Sequence, residues 1–376
     1  MNIFIIYYEK IEKFVYIMGC SNNPEIKDQV KQNTPKYIQP NTYGLTQNNI
    51  NPIAQNIIKR EPKEEVKPNY GPLGELIDFS KPFKEIKTTP CNFLFLKDKK
   101  VIFGDNQGII HVYYDLNFDT SYDIKLFNKY IQCIIELSDG NIVACSNDNS
   151  TKVLKIGNQS YEIIKDIKGS DQAWSLDELG ETTDFVIGYV DGRVLRCHKM
   201  NNTYYFQKKI QIEDSSVLNI LGLSEETAMI VYMSSGAYFY DFNINKTLGF
   251  VPNQHYNPFK CSIKKISEHE LLIGSENSID LIDYKNFQKI RAFENNTTYA
   301  IYNLSDKYIL ASYGKGYLQT YKMSRDINGQ LELKYESRLK VIDGNLTGII
   351  LCPDGKLITF NMTNSIKIWS AKNKSN

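Results

Sequence analysis

The chain has 376 residues and a formal net charge of +1, and 42% of its residues are hydrophobic. This length suits one large domain or two ordinary ones. The near-zero charge gives no electrostatic reason to expect nucleic acid as a partner. Alanine is scarce, whereas the chain has 26 tyrosines and 18 phenylalanines, a composition that favours strands over helices. No apolar run reaches the ~18 residues of a membrane-spanning helix.

The seven cysteines are scattered, without a C-x-x-C pair. Most of them sit in apolar runs such as "IQCIIEL" and "IVACS", a pattern typical of buried, reduced thiols rather than of a disulfide framework or a zinc site. We therefore expect a reducing, cytoplasmic compartment, no metal site and no cofactor.

A second possible start of translation lies at Met18-Gly19-Cys20-Ser21, which makes residues 1–17 a doubtful upstream segment. If translation begins at Met18, removal of this methionine would expose Gly19 for myristoylation, and Cys20 would be a site for palmitoylation. Because one myristoyl chain binds a membrane only marginally, the second lipid would be needed for stable attachment. This hypothesis predicts a protein held peripherally on the cytoplasmic face of a membrane.

Two other interpretations of the same segment stay open. The letters "IMGC" resemble a bacterial lipobox with Cys20 as the lipidated residue, although four charged residues between positions 9 and 13 interrupt the apolar stretch that such a signal needs. Alternatively, Met1 is the true start and Gly19 carries no lipid. Residues 18–72, rich in Asn, Gln, Pro and Lys without a sustained apolar period, predict a flexible low-complexity tail in all three cases.

From about residue 73 the chain repeats one unit seven times, an apolar run that ends in an acidic turn and a second apolar run. Successive acidic turn residues are 38 to 48 positions apart: Asp98, Asp139, Glu181, Glu225, Glu268, Asp306 and Asp354. A second marker, a Gly or Asn before a third run, keeps the same spacing: Gly108, Asn149, Gly192, Gly236, Asn277, Gly316 and Asn364. Gly and Asn tolerate the positive φ of tight hairpin turns.

The third runs alternate as strands with one buried face do, for example at Ile110 and Val112 and at Ile366 and Ile368. A fourth, more polar run follows in most units. Four short strands per ~43 residues correspond to one propeller blade. The sequence therefore predicts an all-β fold over residues 73–376, a single seven-bladed β-propeller with four antiparallel strands per blade, preceded by the flexible N-terminal tail.

The last unit, "LTGIILCPDGKLITFNMTNSIKIWSAKN", resembles a WD repeat, with Pro353-Asp354-Gly355 at the first turn and Ile368-Trp369-Ser370 at the end of the third strand. No unit has the Gly-His dipeptide of that family, and only Trp369 supplies its tryptophan. The chain is therefore identified as a divergent WD-like propeller. We expect the family's side-chain network to be missing, and the blades to depend on sheet ladders and apolar packing.

Ring closure can be predicted from the position of the last unit. The chain ends soon after the third strand of that unit, so the outer strand of its blade must come from elsewhere. The segment "ELIDFSKPFKEI", residues 75–86, is the candidate on the N-terminal side. Such a closure would remove the open edges between the first and last blades.

The sequence contains few residues that indicate a catalytic site. Only Glu136 and Asp177 stand out as acids on the predicted innermost strands, where a pair of acids would suit a glycosidase but more often bonds a lysine or a backbone amide. Cys197 and His198 are adjacent on a strand, and should therefore point to opposite faces. We predict that the chain is not an enzyme; the alternatives are a propeller hydrolase with a site in the central channel and a bacterial-type envelope lipoprotein.

The remaining function is binding of a protein or peptide. In WD-like rings, the turns between second and third strands share one face with the loops that lead into each blade. Large side chains predicted on this face would suit a protein partner. The candidates are Tyr130, Trp174, Tyr189, Met233, His255, Tyr256, Phe259, Tyr313 and Met362. The sequence thus favours a non-catalytic interaction scaffold, with the lipid candidates Gly19 and Cys20 at its N-terminus.

Overall fold

A computed structural model of the chain describes residues 71–253, 262–361 and 365–372. Within these ranges, one short helix, α1 (Gly71–Leu76), precedes 29 strands, which form seven sheets. The first two strands, β1 (Ile77–Asp78) and β2 (Lys84–Ile86), are short. The seven sheets are numbered below as blades 1 to 7 in chain order.

Six blades are antiparallel meanders of four consecutive strands. Blade 1 comprises β3 (Pro90–Phe95), β4 (Val101–Asp105), β5 (Ile109–Tyr113) and β6 (Ser121–Lys125). Blade 2 comprises β7 (Ile131–Glu136), β8 (Ile142–Ser146), β9 (Ser150–Ile156) and β10 (Tyr161–Lys168). Blade 3 comprises β11 (Ala173–Glu178), β12 (Phe185–Tyr189), β13 (Arg193–Met200) and β14 (Thr203–Gln211).

The next three blades repeat this order. Blade 4 comprises β15 (Val217–Gly222), β16 (Thr227–Tyr232), β17 (Gly236–Asp241) and β18 (Lys246–Pro252). Blade 5 comprises β19 (Ile263–Lys265), β20 (Glu270–Gly274), β21 (Ser278–Asp283) and β22 (Gln288–Glu294). Blade 6 comprises β23 (Ile301–Ser305), β24 (Tyr308–Tyr313), β25 (Tyr317–Arg325) and β26 (Leu331–Lys340).

Blade 7 is completed by the N-terminal side of the propeller. Its strands β27 (Leu346–Leu351), β28 (Leu357–Asn361) and β29 (Ile366–Ala371) pair in sequence, and both β1 and β2 then pair antiparallel with β29. Lys84 lies opposite Ile368, and Ile77 lies opposite Ala371. The predicted closure by residues 75–86 is therefore confirmed.

The hydrophobic pattern places each strand within its blade. The second strands are buried along almost their whole length, as in β4 and β8, whereas the outer strand β6 is mostly exposed. The third strand β5 alternates, and Ile110 and Val112 are fully buried as predicted. A strand covered on both faces is uniformly apolar, while a half-covered strand alternates. Burial thus decreases from the second strand to the outer strand.

The turns between second and third strands explain the Gly and Asn marker. Gly192 and Gly316 both have a φ of 84°. A Cβ on Gly316 would overlap the carbonyl oxygen of Ile342, so the close approach of the backbone requires glycine there. Asn149 has a φ of 66° at the corresponding turn of blade 2, whereas Asn277 in blade 5 does not adopt a positive φ.

Neighbouring blades pack through apolar faces, including the first and the last. Phe93 and Phe103 of blade 1 lie in one buried cluster with Ile358 and Phe360 of blade 7. The ring centroids of Phe93 and Phe360 are 5.0 Å apart. The described residues therefore form a closed, seven-bladed, all-β propeller, as predicted.

Candidate functional site

The turns between second and third strands lie on the same face of the propeller as the loops that lead into the first strands. Backbone bonds join the two sets within a blade: the Val190 amide donates to the Gln172 carbonyl, and the Met233 amide donates to the Ser216 carbonyl, both at 3.0 Å. This face is called the turn face below. It is the face on which the sequence analysis predicted a binding surface.

Two of the candidate residues on the turn face are buried. Tyr130 and Tyr189 are only 8% and 5% exposed. The Tyr130 hydroxyl lies 3.4 Å from the Pro90 carbonyl oxygen of the preceding blade, and the Tyr189 ring packs against Gly169. Both rings therefore pack within the propeller and offer little surface to a partner.

The other described candidates keep partial exposure. Met233 and Tyr313 are half-buried in the turns that follow β16 and end β24. Trp174 is also half-buried, but it lies within strand β11 rather than in a loop, at a register shift between Ala173 and Ser175. The remaining predicted residues lie outside the described part of the chain: Gly19, Cys20, His255, Tyr256, Phe259 and Met362.

An aromatic and cationic cluster lies on the turn face of blade 6, formed by Tyr313, Tyr317 and Arg338. Tyr313 and Tyr317 are directly opposite each other across the β24–β25 turn. The guanidinium carbon of Arg338, on the outer strand β26, lies 4.8 Å from the centroid of the Tyr313 ring and 5.4 Å from that of Tyr317. The two tyrosine rings thus hold the arginine by cation–π contact.

The positive charge of this Tyr-Arg cluster is accessible to a ligand. Arg338 is exposed, and among the described residues no carboxylate pairs with it. The nearest acid along the adjoining loop, Asp343, pairs instead with Lys340 at 3.1 Å. Lys315, exposed in the turn between the two tyrosines, adds a second positive charge. The cluster therefore combines aromatic faces with unneutralised cations.

Tyr317 and Arg338 were not among the residues predicted from the sequence. The spacing in "YGKGY" was a usable signal, because two tyrosines that flank a three-residue turn become opposite partners in the hairpin. Arg338 gave no signal, since its contact with Tyr313 depends on the register of the long β25–β26 hairpin. A related pair in blade 3, Tyr189 and Arg193, has a ring-to-guanidinium distance of 5.4 Å, but Asp191 already pairs with Arg193.

The acids of the innermost strands bond to neighbouring blades. The Lys97 amide of blade 1 donates to both carboxylate oxygens of Glu136 at 3.1 Å, and the Gly222 amide of blade 4 donates to Asp177 at 2.7 Å. Burial raises the pKa of both carboxyl groups, to about 6 for Asp177. The two candidate acids therefore reach toward different blade interfaces, each engaged as an acceptor.

Further hydrogen bonds join the innermost strands and their turns in neighbouring blades. Glu178 of blade 3 accepts from the Ser138 amide and hydroxyl of blade 2 at 2.9 and 2.7 Å. The Asn92 side chain both donates to and accepts from the backbone of Ile134. The expectation that only sheet ladders and apolar packing hold the blades together was therefore incomplete. In blade 7, Trp369 Nε1 also donates to the Thr359 hydroxyl at 2.9 Å.

Adjacent Cys197 and His198 point to opposite faces, as predicted: Cys197 is fully buried and His198 is exposed. Over the described ranges, no three His, Cys, Asp or Glu side chains are grouped as a metal site would require. In the same part of the chain, no helix has the length and apolar character needed to cross a membrane.

The closed ring of seven blades, six of them four-stranded meanders, defines a divergent WD-like β-propeller. A sequence model of the Vps41-type β-propeller family, described as "Vps42 beta-propeller", matches residues 83–322. This match covers almost two thirds of the chain, and the chain belongs to that β-propeller family. No curated protein matches the chain.

Proposed function

We propose that this chain is a non-catalytic protein-interaction scaffold whose binding surface is centred on the Tyr-Arg cluster of the turn face. The observation that carries the proposal is the exposed Arg338 guanidinium, which makes cation–π contact with two tyrosine rings and pairs with no carboxylate among the described residues. Tyr and Arg are enriched among the residues that dominate binding energy at protein interfaces. A family of propeller scaffolds is consistent with this role.

The chemistry of the cluster favours a particular kind of partner. The edges of a guanidinium carry a fork of N–H donors that matches a carboxylate, and stacking on aromatic rings leaves those edges accessible. Lys315 extends the positive charge along the same turn. The partner is therefore a protein or peptide segment that presents an acidic side chain to Arg338 and apolar groups to the tyrosine rings.

Charge reversal at Arg338 tests this proposal. We expect Arg338→Glu to lose the partners that the wild-type full-length chain captures from its native cell extract. For a captured partner, Arg338→Ala should weaken the Kd by about 10- to 100-fold, the range of about 1.4–2.8 kcal/mol typical of an interface arginine. Tyr313→Ala should weaken it in the same direction. The measurements are quantitative mass spectrometry of the captured proteins and titration calorimetry of the purified pair.

Lys334→Glu is the matched control, because Lys334 is an exposed cation on the same strand β26 and lies away from the turn face. It carries the same change of charge and should retain the partners. Equal retention of every partner by the Arg338 and Lys334 variants would rule out the Tyr-Arg cluster as the binding centre.

We also propose that the scaffold is tethered to the cytoplasmic face of a membrane by lipids on Gly19 and Cys20. The Met18-Gly19-Cys20 sequence supports this, since it offers two adjacent acylation sites after removal of Met18. The intact mass of the native protein should then begin at Gly19 and include a myristoyl and a palmitoyl group. A native mass that begins at unmodified Met1 would exclude this anchor.

A further inference from the structure

Five of the chain's seven cysteines lie in the described part, and all five are thiols. Two of them occupy an unusual position in blade 2: Cys133 on β7 lies directly opposite Cys145 on β8. Both side chains pack into one hydrophobic cluster with Ala173, Leu176 and Tyr189 of blade 3, so they point to the same side of the sheet. The fold therefore brings two thiols face to face across one antiparallel pair.

We propose that Cys133 and Cys145 are a site of reversible covalent modification, and that they form a disulfide with each other when the protein meets a peroxide. The proposal stands on the register of the β7–β8 pair. Side chains directly opposite in an antiparallel pair have Cβ atoms about 4.5–5.5 Å apart, whereas a disulfide needs about 3.5–4.5 Å. A relative movement of about 1 Å would therefore suffice to close the bond.

The backbone beside Cys133 allows this relative movement of the two strands. The β7–β8 register shifts between Ile131 and Cys133, so Gln132 is an extra residue immediately beside the cysteine. A bulge interrupts the ladder and lets the strand bend at that point. Because some strain would remain after closure, the bond would belong to the easily reduced class of disulfides rather than to the inert structural class.

The two thiols differ in access, which gives the oxidation an order. Cys133 is half-buried on the innermost strand, whereas Cys145 is fully buried. Burial raises the pKa of the Cys145 thiol well above its usual value, so this thiol stays protonated. Cys133 is therefore the residue that reacts with the oxidant, and Cys145 is the residue that resolves the product.

Both steps balance with hydrogen peroxide as the oxidant. In the first step the Cys133 sulfur attacks one peroxide oxygen, the O–O bond breaks, and the products are the Cys133 sulfenic acid and water. In the second step the Cys145 sulfur displaces hydroxide from the sulfenic sulfur. The hydroxide leaves as water with the Cys145 proton, and the S–S bond remains. A dithiol reductant reverses the sequence.

Peptide mapping of the oxidised full-length protein tests the proposal. One tryptic peptide, residues 130–152, holds both cysteines, and cleavage after Glu136 separates them. After treatment of the native, reduced protein with hydrogen peroxide, we expect this peptide to lose two hydrogens and to resist alkylation at both thiols. Cleavage after Glu136 should leave two fragments joined until a dithiol is added. Peptide mapping also distinguishes this disulfide from any bond that involves the cysteines outside the described residues.

Single-residue variants show which of the two cysteines reacts first with the peroxide. Cys145→Ala should leave Cys133 as a sulfenic acid that a dimedone-type probe captures, whereas Cys133→Ala should leave Cys145 unreacted. Cys91→Ala is the matched control, because Cys91 lies on the innermost strand of the adjacent blade and should not affect the bond. A disulfide from Cys133 to Cys91 or to Cys197, or two alkylatable thiols after oxidation, would overturn the proposal. If a variant fails to fold, the peptide map of the wild-type protein still shows whether Cys133 and Cys145 are joined.

Discussion

Deletion of residues 72–88 is expected to destabilise the whole propeller, with a fall in Tm of at least about 10 °C or loss of the cooperative transition. The deletion removes β1 and β2, which pair with the last strand of blade 7. It thereby exposes the edge of β29 and reopens the sheet that joins the N-terminal side to the C-terminal side. Differential scanning calorimetry of the full-length and deleted chains measures the effect.

The magnitude follows from the side chains that the segment buries. Leu73 is 2% exposed and Ile77 is fully buried in a cluster with Trp369. Phe79 contacts the Trp369 ring with centroids 5.3 Å apart. Full burial of each aliphatic side chain contributes about 1.5–3 kcal/mol, so the loss is a large part of the 5–15 kcal/mol that holds an ordinary domain folded.

Two controls separate closure of the ring from loss of chain length. Deletion of residues 21–65, whose composition predicts no hydrophobic core, should leave the Tm unchanged. Ile77→Ala should lower the Tm, whereas Leu76→Ala should not, because Leu76 is 43% exposed and Ile77 is fully buried. Equal melting temperatures for the two deletions would show that this closure does not stabilise the propeller.

The sequence predicts the blades well because their pattern is local. Alternation within β5 and the glycine or asparagine before each third strand depend on neighbours a few residues apart. Strand period and turn chemistry determine these features, and both can be read from a single sequence. The closure by residues 75–86 joins distant segments, and it could be predicted because the last unit lacks an outer strand.

The particular polar partners between blades were not predicted, because they are residues about one repeat apart. Glu136 accepts from Lys97, and Glu178 accepts from Ser138, 39 and 40 positions away respectively. Nothing in either residue's own strand indicates its partner, which is set by the stacking of one blade on the next. The same reason applies to Tyr130, whose hydroxyl lies 3.4 Å from the Pro90 carbonyl oxygen of the preceding blade.

Another contact of this kind is a buried arginine network between blades 3 and 4. Arg196, on β13, is 6% exposed. Its Nη2 lies 3.0 Å from the Asp184 carboxylate, and its Nη1 lies 2.5 Å from the Glu226 carboxylate in the β15–β16 turn. Hydrogen bonds to both acids raise the pKa of the Arg196 guanidinium, although desolvation opposes them as the largest single influence. The network thus connects two blades through one buried cation.

Arg196→Met is expected to lower the free energy of unfolding by about 3–5 kcal/mol, because it removes the arginine counterion of the buried Asp184 carboxylate and leaves only the His198 ring and the Lys199 amide bonded to it. The Asp184 side chain is only 5% exposed, so water cannot replace the lost partner. Methionine keeps much of the apolar volume, which limits the contribution of a cavity. Urea denaturation followed by tryptophan fluorescence measures the change.

A double-mutant cycle identifies the origin of this loss. Asp184→Asn removes the negative charge but keeps an oxygen for His198 and for the Lys199 amide, both of which bond to Asp184. If the unneutralised charge of the Asp184 carboxylate is the cause, Arg196→Met should lower the free energy of unfolding much less in the Asp184→Asn background than in the wild type. The exposed Arg291–Glu332 pair, at 3.6 Å between blades 5 and 6, is the control: Arg291→Met should cost no more than about 1 kcal/mol. Similar losses at Arg196 and Arg291 would show that packing of the arginine stem, rather than its buried charge, stabilises the interface.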